Sequence, residues 1–252
     1  MPPEAALRTE GLARRFGALQ VTRDVSLSLP VGARHALIGP NGAGKTTLIN
    51  LITGALAPDA GRILLGGEDV TRAPVAARVR RGLTRTFQIT TLFPDLTPLE
   101  ACLLAIAERE GTAGRFWRPL AAHSTAIDEA AALLARLGLA ETATRPTRTL
   151  AVGQQRLLEI ALALATRPRV LLLDEPAAGV PRDESAALFA VIAALPAEIA
   201  VLFIEHDMDL VFSFATRIVV LVSGAVLLEA DPATVRADPR VRAVYLGQSG
   251  HG

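Results

Sequence analysis

The sequence predicts an α/β fold, with a parallel sheet at its centre, an antiparallel β region toward the N-terminus and a helical middle. Three observations lead there. Residues 170–173 and 200–204 are unbroken apolar runs, each followed at once by acidic residues, and strands without polar alternation suit a parallel sheet covered on both faces. Residues 36–53 read as an apolar strand, a glycine-rich loop and an apolar helix. Between residues 97 and 166, apart from an aperiodic stretch at 111–123, the chain reads as helical.

Taken in order, residues 12–16, 25–29 and 36–38 read as short strands, with turn chemistry at Pro30-Val31-Gly32. A loop at 39–44 precedes a helix from Lys45 to about Thr53, which Gly54 closes. Residues 62–65 form a strand that runs into a tight turn at Gly66-Gly67. Thr97-Pro98-Leu99-Glu100 combines a capping box with proline at the first helical position. Ile127, Ala130, Leu133, Leu134 and Leu137 mark one helix face, and Gly138 ends that helix. Residues 111–123 show no period and carry Phe116, Trp117 and Pro119, so they read as a loop or short insertion. Residues 154–166 and 183–195 are helical. The longest apolar region, 211–228, is broken by Arg217 and Gly224 and reads as two strands. Residues 218–222 and 225–229 pair as a hairpin across Ser223-Gly224. Asp231-Pro232 starts a short C-terminal helix.

Composition narrows the function classes. The 252 residues carry a formal charge of +1, which gives no ground for expecting a nucleic-acid partner. Half of the residues are hydrophobic, enough for a substantial core without disulfides. Cys102 is the single cysteine; no metal-ligand or nucleophile spacing surrounds it, so it reads as a small core residue in a chain suited to a reducing compartment. The first ten residues lack the apolar run of a signal peptide, and no stretch reaches the ~18 apolar residues of a membrane span. A membrane role would therefore come through a partner. Of 26 basic residues one is lysine, Lys45.

That lysine sits in Gly39-Pro40-Asn41-Gly42-Ala43-Gly44-Lys45-Thr46, the G-x-x-x-x-G-K-[ST] pattern. The glycines let successive N–H groups turn toward phosphate oxygens, and the following helix adds its positive end. Lys45 is placed to bridge the β- and γ-phosphates and the Thr46 hydroxyl to ligate Mg²⁺. Asp174-Glu175 ends the apolar run at 170–173, at the strand edge where open α/β sheets bind ligands. Alone the pair could be a solvated strand end. Coupled to the phosphate loop, Asp174 reads as a Mg²⁺ residue and Glu175 as the group that orients the attacking water. His206 follows the next apolar run and fits either a structural histidine or a γ-phosphate donor. His35, His123 and His251 sit in no comparable setting. Leu150-Ala151-Val152-Gly153-Gln154-Gln155 precedes a helix, a weak signal for an anion-accepting N-terminus.

These pieces, in this order and over nearly the whole chain, resemble the ATP-binding cassette (ABC) ATPases. The resemblance implies a P-loop NTPase (RecA-like) core with an antiparallel β subdomain and an α-helical subdomain. It implies one domain over 1–252, with residues 1–88 and 166–252 as catalytic core and 89–165 as the helical, signature-bearing part. ATP and Mg²⁺ are then the cofactors. Gln88 in Arg85-Thr86-Phe87-Gln88 matches the loop that contacts Mg²⁺ and the attacking water, and the phosphate loop extends through Thr47. Ala151, Val152, Gly153 and Gln154 match the signature that binds the γ-phosphate held by a second protomer. Ala178-Gly179-Val180-Pro181 matches the dimer-contacting loop. Phe16 matches the aromatic that stacks on adenine, a position it could also hold as a plain strand residue. The family's signature begins Leu-Ser-Gly-Gly-Gln; Ala151 here has no hydroxyl to offer phosphate, so contact would fall to backbone N–H groups.

A narrower resemblance is to the ATPase subunits of branched-chain amino acid importers. It is carried by Arg85-Thr86-Phe87-Gln88 through Leu92-Phe93, by Leu150 through Arg156, by Asp174-Glu175-Pro176-Ala177-Ala178-Gly179, by Ile204-Glu205-His206-Asp207-Met208 and by Tyr245-Leu246-Gly247. It implies permease subunits coupled near residues 88–99, a second ATPase protomer, an indirect solute-binding protein, and a peripheral place on the cytoplasmic face of the bacterial inner membrane. Urea, amides or aromatic acids are alternative cargoes. A soluble ATPase of the same superfamily usually carries two cassettes or a coiled coil, whereas this chain has one phosphate loop and no heptad run. Phosphate-loop kinases and GTPases lack the signature and the histidine-bearing strand.

Overall fold

The computed structural model describes residues 5–86, 92–112 and 124–246. Along the chain these form β1 (Ala5–Phe16), β2 (Leu19–Pro30), β3 (Arg34–Ile38), α1 (Lys45–Thr53), β4 (Ala60–Leu65), β5 (Glu68–Asp69), α2 (Val75–Arg80) and β6 (Leu83–Arg85). Then come α3 (Pro98–Arg109), α4 (Ser124–Arg136), α5 (Val152–Ala165), β7 (Val170–Asp174) and α6 (Arg182–Ala193). The last part holds β8 (Ala200–Ile204), α7 (Met208–Phe214), β9 (Arg217–Val222), β10 (Ala225–Ala230), α8 (Pro232–Ala237) and α9 (Pro239–Leu246). Two compact units result, one from 1–85, 169–175 and 193–252 and the other from 86–168 and 176–192, each over its described residues.

The first unit holds both sheets. Six strands run in the order β10-β9-β3-β8-β7-β6, parallel except where β10 turns back on β9. Every residue of β3, β7 and β8 is buried, which is why their sequences show no polar alternation. Four antiparallel strands, β2-β1-β4-β5, make the second sheet. Leu12 and Val25 of that sheet, Leu48 and Ile52 of α1 and Leu172 and Leu202 of the parallel sheet belong to one continuous core.

β1 and β2 outrun the short strands expected. β1 pairs on both sides, with β2 and β4, so ladder bonds extend it through polar residues that propensity alone would leave out. Thr9 shows the fit: its hydroxyl donates to the Val25 carbonyl at 3.1 Å and accepts the Leu27 N–H at 3.0 Å. α1 has the bounds expected, with Gly54 closing it at φ 82°. The carbonyls of Leu51 and Ile52 near its end accept hydrogen bonds from Arg78, at 2.7 and 2.6 Å, a guanidinium only 1% exposed.

One expectation is corrected. Residues 211–214 belong to α7, not to a strand. The Asp207 carboxylate accepts from the backbone N–H groups of Asp209 and Leu210 at 2.9 and 3.4 Å, and this cap decides a short apolar run that periodicity leaves ambiguous. The hairpin that follows is as expected: Ser223 and Gly224 both have positive φ, 47° and 82°, as a tight two-residue turn between twisted strands requires.

The second unit is helical. α3 opens with the expected capping box: the Glu100 N–H donates to the Thr97 hydroxyl at 3.2 Å and the Thr97 N–H to the Glu100 carboxylate at 2.8 Å. Cys102 is fully buried in α3. Glu129 of α4 accepts from Arg109 at 2.6 Å and Arg167 at 2.9 Å, which ties α3, α4 and the end of α5 together. Most of the segment read as an insertion, residues 113–123, lies outside the described residues.

Candidate active site

Strand register brings the predicted residues to one edge of the parallel sheet. Ile204 of β8 stands beside both Leu37 of β3 and Asp174 of β7. Since these strands are parallel, the chain leaves all three at the same level. Gly39 opens the phosphate loop two residues past Leu37, Glu175 follows Asp174, and His206 lies two residues past Ile204.

The loop between β3 and α1 is tightly seated. A Cβ on Gly39 would lie 2.1 Å from the Leu221 carbonyl oxygen of β9, so only glycine lets the backbone pass. Gly39 also donates its N–H to the Tyr245 phenol of α9, whose pKa burial pushes up to about 12. Lys45 is 8% exposed, and its ammonium donates to the carbonyls of Gly39 at 2.6 Å and Pro40 at 3.1 Å. Burial lowers the Lys45 pKa; the negative charges of Glu175 and Asp174 raise it in part, which sets both carboxylates within electrostatic reach. Asn41, Gly42 and Thr46 are exposed, Thr47 is half-buried and Ala43 and Gly44 are buried.

At the end of β7, Asp174 is 6% exposed and accepts from Arg85 at 2.5 Å. Glu175 takes φ 51°, a left-handed conformation that costs a non-glycine residue about 1–3 kcal/mol and is found where a site demands it. Its N–H still donates to the Ile204 carbonyl at 3.0 Å, so the strain turns only the side chain out of the sheet. The Glu175 carboxylate then meets His206 Nε2 at 3.0 Å. The His206 ring is half exposed, and both readings open for it accommodate this contact.

Phe16 ends β1 with 46% of its surface exposed, and the Arg14 guanidinium lies 5.1 Å from the ring centre. In the helical unit α5 begins at Val152 with Ala151 as its cap residue. Gln154 accepts the Ala151 N–H at 3.1 Å, Val152 is 45% exposed and Gly153 is buried. Arg156 donates to the Ala178 carbonyl at 3.1 Å, which fastens the loop of residues 178–181 to α5. Gln88 lies outside the described residues.

Set against known proteins, the profile of the family described as "ABC transporter" matches residues 22–178. The chain belongs to the ABC transporter family. A second ABC profile, described as "Branched-chain amino acid ATP-binding cassette transporter", matches residues 225–251. The high-affinity branched-chain amino acid transport ATP-binding protein BraF of Pseudomonas aeruginosa is 43% identical over 250 residues, which cover 96% of this chain and 98% of BraF. LivG of Escherichia coli, which has the same descriptive name, is 41% identical with the same coverage. The crystal structure of the ADP conformation of MJ1267, an ATP-binding cassette of an ABC transporter, superposes with a TM-score of 0.84 at 33% identity, covering 96% of this chain and 99% of that one. The expected cassette fold is thus borne out, and the chain is an ABC ATPase.

Sequence reasoning missed three features of this ABC site. Arg85 appeared only as part of a motif, although its guanidinium spans Asp174 and Asn50, the latter at 2.7 Å. Tyr245 carried a family resemblance but no contact. The left-handed turn at Glu175 has no signature in a residue type that rarely adopts it.

Proposed function

We propose that the chain is the ATP-hydrolysing subunit of an importer for branched-chain or related amino acids. It would act as a single cassette domain, with 1–88 and 166–252 as catalytic core and 89–165 as the signature-bearing part, docked on permease subunits at the cytoplasmic face of the bacterial inner membrane. The observation that carries the catalytic reading is the Glu175–His206 contact at the carboxyl edge of the sheet, with Lys45 and Asp174 in electrostatic reach.

The roles follow from chemistry. The loop from Gly39 through Thr47 turns N–H groups and Lys45 toward the β- and γ-phosphates. Thr46 and Asp174 offer hard oxygen donors, and Gln88 a third, which fit Mg²⁺. Among the described residues no group of three or more His, Cys, Asp or Glu is placed to hold a metal, so a softer, protein-caged ion finds no such site there. When bound, the divalent ion neutralises charge on the phosphates. Glu175 orients the attacking water, His206 holds Glu175 and reaches the γ-phosphate, and Phe16 stacks on adenine. Ala151, Val152, Gly153 and Gln154, at the exposed start of α5, meet the γ-phosphate held by a second protomer, either another copy or a homologous subunit.

The match of residues 225–251 to a branched-chain amino acid transporter profile supports the cargo. Substrate itself would be read by a solute-binding protein and the permease. Among the described residues no helix is long and apolar enough to cross a membrane, in keeping with a peripheral subunit. Two measurements test the reading. Glu175→Gln should bind ATP, trap a nucleotide-bound dimer and lose ~100-fold or more of its turnover, whereas Lys45→Ala should weaken nucleotide binding itself. Parent-rate hydrolysis by Glu175→Gln would remove the water-orienting role. Failure to co-purify with permease subunits from membranes would remove the transport role.

A further inference from the structure

Arg85 belongs to none of the motif roles assigned above, yet it is built into the site. It ends β6, and its side chain is 15% exposed. One terminal nitrogen donates to the Asp174 carboxylate at 2.5 Å and the other to the Asn50 side-chain oxygen at 2.7 Å. Asn50 lies on α1 four residues after Thr46, one turn along the same helix face. A planar, rigid fork therefore joins the helix face that bears Thr46 to the strand end that bears Asp174. These are two of the three groups assigned to Mg²⁺ by the proposed function, on which this inference rests.

We propose that Arg85 is a positioning residue for the divalent cation: through Asn50 and Asp174 it sets the spacing between the α1 hydroxyl and the β7 carboxylate. The bond to one carboxylate oxygen also supplies a counter-charge to Asp174, which at 6% exposure has little water to do so. Lysine would lack the fork, since a single ammonium on a flexible stem cannot hold both partners in one plane.

The test is the Mg²⁺ dependence of nucleotide binding, followed with a fluorescent ATP analogue in EDTA and across a Mg²⁺ titration, with Mn²⁺ binding read by electron paramagnetic resonance. Arg85→Gln should raise the half-saturating Mg²⁺ concentration by about tenfold or more, the usual effect of removing a group that orients a metal ligand. Its affinity for the analogue in EDTA should change by much less. Asn50→Ala should shift the same midpoint in the same direction, Arg85→Lys should fail to restore it, and the double variant should shift no further than Arg85→Gln. Equal loss of affinity in EDTA and in Mg²⁺, or a parental midpoint in Arg85→Gln, would overturn the proposal. If that variant does not fold, the Asn50→Ala midpoint decides alone. Asp174→Asn separates the two layers: a parental midpoint there would refute the metal role of Asp174, while a shift in Asp174→Asn without one in Arg85→Gln would refute the role of Arg85 only.

Discussion

Replacing Gly39 with alanine isolates the physical demand that the phosphate loop makes on its neighbours. The new Cβ would stand 2.1 Å from the Leu221 carbonyl oxygen, whereas ordinary contact begins at 3.4 Å. The obstacle is backbone in a buried strand, so rotating a side chain brings no relief. The loop must retreat from β9 by about 1 Å, and a misplacement of that size at a reacting centre costs on the order of 100-fold in rate. Overpacking of this kind costs about 1–3 kcal/mol, which in a domain of this size lowers Tm by roughly 2–12 °C. The same retreat strains the N–H bond from Gly39 to Tyr245. Gly42→Ala is the control. A Cβ there meets nothing within 4 Å and only the torsion, φ 76°, is unfavourable, so about 1–2 kcal/mol of strain is expected without a displaced loop. Steady-state ATPase assays and differential scanning calorimetry on both variants give the answer. Gly39→Ala turnover within twofold of the parent, with Tm unchanged, would show that β9 does not confine the loop as described.

Three further outcomes are expected. His206→Ala removes the ring held 3.0 Å from Glu175 and should lower kcat by about 100-fold, with nucleotide affinity moving far less; equal losses in both would point to a binding role. His35 is buried in β3, and burial together with the Arg217 charge lowers its pKa from 6.5 to about 4. The unfolded chain therefore binds this proton first as pH falls, so stability drops between pH 6.5 and about 4. At pH 5 the loss is about 2 kcal/mol, and in urea titrations His35→Gln should show a flatter decline. Burial raises the Cys102 thiol to about 12, leaving on the order of one thiolate in ten thousand at pH 8. Iodoacetamide should then label the folded chain far more slowly than the urea-unfolded chain, as read by intact-mass spectrometry.

Much of this protein was legible before any fold was known, and for local reasons. The phosphate loop needs contiguous glycines, a lysine and a hydroxyl; α1 needs a glycine at its end; α3 needs its Thr97–Glu100 box; all are short-range patterns. Buried parallel strands announce themselves because both faces must be apolar, as at β7 and β8. Where competing local patterns overlapped, the reading failed: residues 211–214 are as apolar as a strand, and only the Asp207 cap separates helix from sheet. β6, at three residues, was too short to carry any pattern.

The sequence by itself determined which chemical groups are present and the local elements that carry most of them, because those depend on neighbours a few residues apart. Tertiary structure alone decided which groups meet. Leu37, Ile204 and Asp174 share a row only through strand register, Arg85 reaches Asp174 across 89 positions of chain, and Glu175 holds its left-handed turn because the surrounding sheet outweighs its torsional preference. Such contacts depend on distances that no stretch of sequence encodes, and folding sets them only when separate elements are packed into one core.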